Sequence, residues 1–116
     1  MNIKRIRPTA RMSGAVICNG FIFVSGQVAD DTSADVTGQT RQVLVKIDSL
    51  LAEAGSSKDH IVSANIWLAD ASTFNDMNSV WDAWVPTSPP ARACVESKLA
   101  YPKYLVEISV IAGYGG

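Results

Sequence analysis

The chain has 116 residues and is 47% hydrophobic, which suits one globular domain, spanning residues 1–116, with a core of its own but not two. Ten Lys and Arg against eleven Asp and Glu leave a net charge of −1, which argues against a nucleic-acid partner, since such a partner normally meets a basic stripe. His60 is the only histidine, and Cys18 and Cys94 lack metal-ligand spacing, so no Cys/His zinc site, Ser-His-Asp triad or Cys-His pair is expected within one chain.

Residues 1–9 read as a short edge strand in which Ile3, Arg5 and Arg7 alternate with Lys4 and Ile6 before Pro8 ends it. Two β-rich runs, 14–18 and 21–27, flank Asn19-Gly20. Both residues tolerate the positive φ of a type I′ turn, so the spacing predicts a hairpin. Ser25-Gly26 at its far end has two readings: a plain strand terminator, or a hydroxyl and backbone N–H left free for a ligand that approaches the chain closely. Residues 28–34 are a polar loop. From Asp35, a candidate N-cap, the period changes, and Val43, Leu44, Ile47, Leu50, Leu51 and Ala54 fall on one helix face with Gly55 as the stop. A tight turn over 56–60, with His60 solvated, leads to a strand over 61–68. Its alternation places Val62, Ala64, Ile66 and Leu68 opposite Ile61, Ser63, Asn65 and Trp67. A second helix, with Ser72 as candidate cap, carries Phe74, Met77, Trp81, Trp84 and Val85 along a core-packing stripe until Pro86; Asn78 beside it reads as an exposed polar residue.

The last two strands hold the chemistry. In 89–96, Ala91, Ala93 and Val95 share one face, and Arg92, Cys94 and Glu96 the other. In 104–111, Val106, Ile108 and Val110 form an apolar row with Leu105, Glu107, Ser109 and Ile111 opposite. If these strands are sheet neighbours, Arg92 and Glu107 meet on one face. Such a pair is ordinarily a structural cross-strand ion pair. The other reading has Arg92 gripping a substrate carboxylate while Glu107 positions or deprotonates a water. The element order predicts an α+β domain with two helices on one face of a mixed sheet of about six strands. The uncovered face would present Ile61, Trp67, Leu105 and Ile111 among Ser63, Asn65, Glu107 and Ser109, a mixture that suggests burial against other copies of the chain. No apolar run reaches the ~20 residues of a membrane span, and no apolar signal core follows the N-terminus, so a cytoplasmic protein with no membrane partner is expected.

The segments FIFVSGQ (21–27), GQTRQVL (38–44), LAEAGSS (51–57), Met77-Asn78, PARACV (90–95) and Val106-Glu107-Ile108 resemble, in order and spacing, the RidA/YjgF family of trimeric enamine/imine deaminases. The resemblance implies a chorismate-mutase-like fold, a homotrimer with sites at the subunit interfaces, a small carboxylate-bearing substrate and no cofactor. It places the carboxylate-binding arginine on Arg92, the water-positioning glutamate on Glu107, the family cysteine on Cys94 and the asparagine on Asn78, with Ser25 and Gly26 lining the pocket. Backbone groups near Arg92 and Cys94, with Ala93 between them as a substrate-binding position, would hold the substrate nitrogen and water. Cys94 has no neighbouring histidine to lower its pKa and is given a pocket-lining role. One position departs from the pattern: Met12 stands where the best-studied branch has a pocket tyrosine, and the wording around it is similar to the divergent YoaB branch. Two alternatives to hydrolytic deamination stand beside it, a non-catalytic trimeric module that binds small carboxylates, and a ribonuclease or translation inhibitor.

Overall fold

The computed structural model describes residues 1–114. β1 (Ile3–Pro8) runs antiparallel to β2 (Ser13–Cys18), which turns through Asn19 and Gly20 into β3 (Phe21–Gln27). The turn residues adopt φ of 52° and 80°, the left-handed pair that a type I′ hairpin requires. α1 (Val36–Glu53) is capped as expected: Asp35 accepts from the Gly38 N–H at 2.9 Å, and Gly55, at φ 86°, takes the left-handed position beyond the last turn. The whole predicted stripe from Val43 to Ala54 is buried. At about 1.5–3 kcal/mol for each fully buried aliphatic side chain, that stripe holds the helix on the sheet.

β4 (Ile61–Leu68), α2 (Phe74–Trp84), β5 (Ala91–Glu96) and β6 (Val106–Gly113) complete the domain. The sheet order is β1-β2-β3-β6-β4-β5, with β4 and β5 parallel and every other pair antiparallel. The parallel pair needs a crossover, and α2 supplies it. β6 inserts between β3 and β4 and so joins the two halves of the chain. Ile22, Val24, Ala64, Ile66, Leu68, Val106, Ile108 and Val110 form one core with the buried faces of α1 and α2, which leaves the opposite face of the six-stranded sheet uncovered. Among the described residues no helix is long and apolar enough to cross a membrane.

Four local expectations change. Arg7 does not continue the alternation of β1: at φ 49° it swings its side chain onto α1, where Nε donates to Glu53 Oε2 at 2.7 Å and Nη2 to Ser49 Oγ at 3.2 Å. In β4 the pairing with β6 shifts between Ile61 and Ser63, so Ile61 is buried and Val62 is 48% exposed, the reverse of simple alternation. Ser72 does not cap α2; it lies in a short 3-10 turn, Ala71–Thr73, where its N–H donates to Asp70 Oδ1 at 2.8 Å. The final strand starts at Val106 rather than 104, because the Leu105 N–H donates to the Gln39 side chain instead of to a neighbouring strand.

Candidate functional site

Arg92 lies on β5, the edge strand, in register with Ala64 of β4, so it shares the helix-covered face. α2 meets it there. Phe74, Asn78 and Trp81 fall at i, i+4 and i+7 and line one side of that helix. Arg92 Nη1 donates to Asn78 Oδ1 at 2.7 Å, and its Cζ lies over the Trp81 ring at 5.3 Å and the Phe74 ring at 5.8 Å from the centroids. Among the described residues no acceptor engages Nε or Nη2, and no carboxylate lies within ion-pair distance. The guanidinium edge that matches a carboxylate in bidentate fashion is thus left open. Cys94, in register with Ile66, packs on the same face against the core. Burial pushes its thiol up from the ordinary value, and the nearby Arg92 charge offsets only part of that rise.

Glu107 belongs to the other face. In register it stands beside Trp67, which stands beside Val95, so the three form a row on the uncovered side. Its carboxylate lies over Gly26: a Cβ at that position would overlap Glu107 Oε2 and sit 3.0 Å from Cδ. A glycine here gives the carboxylate its resting place. The pairing of β3 with β6 shifts between Val24 and Gln27, which sets Ser25 and Gly26 out of the regular ladder. Ser25 Oγ donates to the Ser13 carbonyl at 2.6 Å, so its hydroxyl already has one partner. Ala93 shares the uncovered face, in register with Asn65 and Ser109. Met12, just before Ser13, is 52% exposed.

β5 and β6 are therefore not sheet neighbours, because β4 separates them, and their two charged residues point to opposite faces. The expected meeting of Arg92 and Glu107 does not occur within the chain, and neither does the cross-strand ion pair. The parity of Arg92 and of Glu107 within their own strands is readable from sequence, but the strand that lies between them is not. The roles of Phe74 and Trp81 were also missed: their helical spacing reads as core, and only β5 shows that they flank an arginine. Among the described residues no group of three His, Cys, Asp or Glu side chains is placed to hold a metal ion.

A model of the Endoribonuclease L-PSP family matches residues 2–114. The chain belongs to this family, also called YjgF. A RutC family protein of Haemophilus influenzae is 46% identical over 114 residues, covering 97% of this chain and 98% of the relative. The RutC family protein YoaB of Escherichia coli is 42% identical over 113 residues, with 97% and 98% covered. Among solved structures, a YjgF family member from Neisseria meningitidis superposes with a TM-score of 0.96 at 45% identity, covering 100% of this chain and 98% of that one. The similarity to YoaB agrees with the divergent wording around Met12. In this YjgF protein Arg92 and Cys94 lie on one face of the sheet and Glu107 on the other.

Proposed function

We propose that the chain is a cofactor-independent hydrolase of reactive imines and enamines derived from amino acids, working in the cytoplasm as a homotrimer with sites between copies. The observation that carries this reading is the division of the site: an open guanidinium edge at the sheet rim, and a carboxylate on the uncovered face, each lacking its counterpart among the described residues of the same chain. Docking the β5 rim of one copy onto the uncovered face of the next brings Arg92 toward a neighbour's Glu107. That face carries Phe21 and Phe23, each 44% exposed, and Trp67 and Ile111, partly exposed, with Asn65 and Ser109 among them.

In the reaction, Arg92 holds the substrate carboxylate by two parallel N–H donors. Glu107 orients a water and accepts a proton as the water oxygen attacks the C=N carbon. The carbinolamine then collapses: nitrogen takes the proton that Glu107 accepted, the hydroxyl O–H gives up its proton as the C=O forms and the C–N bond breaks, and with that proton nitrogen leaves as ammonia and a 2-keto acid remains. Ser25, Gly26, Ala93, Cys94 and Asn78 line or brace the site. With its proton held by burial, Cys94 stands as wall rather than nucleophile.

Mixing Arg92→Ala and Glu107→Gln proteins under exchange conditions tests both parts. Neither variant alone should release ammonia and keto acid faster than buffer from an imine supplied by a generating enzyme. If each site draws its two residues from different copies, mixed trimers regain activity, because some interfaces hold both native side chains. Wild-type acceleration with no recovery in mixtures would place both residues of each site on one chain. A second reading, a carboxylate-binding module without turnover, is favoured by one residue, Met12, which lies exposed where a polar tyrosine would stand. Keto-acid binding without any acceleration of imine hydrolysis would establish that reading instead, and salt-dependent RNA binding would replace both.

A further inference from the structure

The Arg92 half of the site is more elaborate than a surface charge requires. A solvated arginine samples many rotamers, yet this one is bracketed by Trp81 and Phe74 at 5.3 and 5.8 Å and bonded to Asn78 at 2.7 Å. Asn78 presents its oxygen to Nη1, the nitrogen remote from the Nε–H. Its hydrogen bond therefore occupies the side of the guanidinium that a side-on carboxylate does not use. Trp81 is buried and fixed in the core, whereas Phe74 is 41% exposed. A carboxylate docked on Arg92 brings its substituent within reach of that open ring.

We propose that Phe74, Asn78 and Trp81 form a guanidinium cradle that aims the Nε/Nη2 edge of Arg92 at carboxylates bearing an apolar, preferably aromatic, substituent. Asn78 is then a positioning residue that acts on Arg92, and Phe74 sets specificity. The cradle rests on the reading of Arg92 as the carboxylate ligand and adds the class of substituent it prefers. Phe74 can be changed without emptying the core, because its ring is largely outside it.

Calorimetric titration of the trimer with four probes tests the cradle: pyruvate, propionate, phenylpyruvate and 3-phenylpropionate. Wild-type protein should bind the two phenyl compounds more tightly than their small counterparts. Phe74→Leu should lower that preference by roughly two- to tenfold, while Phe74→Tyr keeps it. Asn78→Ala should weaken pyruvate and propionate by a similar factor, of order ten, because both depend on an aimed Arg92. A loss confined to the keto acids would show Asn78 touching the keto group and overturn its positioning role. An unchanged phenyl preference in Phe74→Leu, or no carboxylate binding by wild type, overturns the cradle. The expected binding pattern without imine turnover supports the cradle and overturns the hydrolase reading alone. Turnover whose KM for phenyl and small substrates ignores Phe74→Leu does the reverse.

Discussion

Lysine at position 92 would retain the charge and lose the plane. Its ammonium has no two-donor edge to fix a carboxylate and no flat surface to lie over Trp81 and Phe74. Arg92→Lys is therefore expected to lose nearly as much keto-acid affinity as Arg92→Ala; full affinity in the lysine variant would mean that charge alone matters. Glu107 makes the opposite case. Among the described residues it forms no ion pair, so Glu107→Gln strands no buried cation and should shift the melting temperature little, while turnover falls roughly 10²–10⁴-fold. A large loss of stability would reinstate a structural pairing for this carboxylate. For Cys94 the sign follows from its two neighbours. Burial favours the neutral thiol and Arg92 favours the thiolate, and burial wins, so alkylation at neutral pH should run slower than for free cysteine and rise only as pH passes the ordinary thiol range. Arg92→Ala removes the opposing influence and should move that rise to still higher pH. A rate for Cys94 equal to free cysteine at neutral pH would contradict this.

Among the elements, α1 does more than cover the sheet. Gln39, fully buried one turn into the helix, donates from Nε2 to the carbonyls of Ala34 at 3.1 Å and Lys103 at 3.0 Å, and its Oε1 accepts the Leu105 N–H at 2.9 Å. One amide thus ties the loop before α1 to the loop before β6. Gln39→Leu keeps the volume and orphans these backbone groups, at about 1–3 kcal/mol for each one left buried. Denaturant unfolding should show a lower midpoint with little change in slope, and a variant as stable as wild type would mean that water replaces the amide. The sequence presented Gln39 as one polar residue in a helix, since an amide at such a position is usually solvated. What buried it was the return of the 97–105 segment, which no local pattern announces. The shift at Ile61 and Ser63 is likewise non-local: the pairing of β4 with β6 slips there, and the slip overrides the alternation around Val62.

For the whole molecule, the uncovered sheet face sets the expectation. Two helices cover one side of six strands, and the other side leaves Phe21, Phe23, Val95 and Trp67 partly or well exposed. A closed ring of copies would bury that face and complete three divided sites at once. Light scattering at micromolar concentration should report about three times the monomer mass. A stable monomer would contradict both the burial of this face and the sharing of Arg92 and Glu107 between copies.

Sequence alone determined the elements and much of the core, because period and caps are local: Asn19-Gly20 closes a hairpin, Asp35 and Gly55 bound a helix, and residues 43–54 bury the expected face. It also singled out Arg92 and Glu107 as candidates, since a fork-shaped cation on a strand and a carboxylate in the middle of an apolar run are unusual wherever they fall. Only the tertiary structure decided which of them share a space. The insertion of β6 between β3 and β4 put a strand between Arg92 and Glu107 and sent them to opposite faces, and the α2 crossover turned Phe74, Asn78 and Trp81 toward the arginine. Strand order is fixed by contacts between residues far apart in the chain, and side-chain parity within one strand does not encode them.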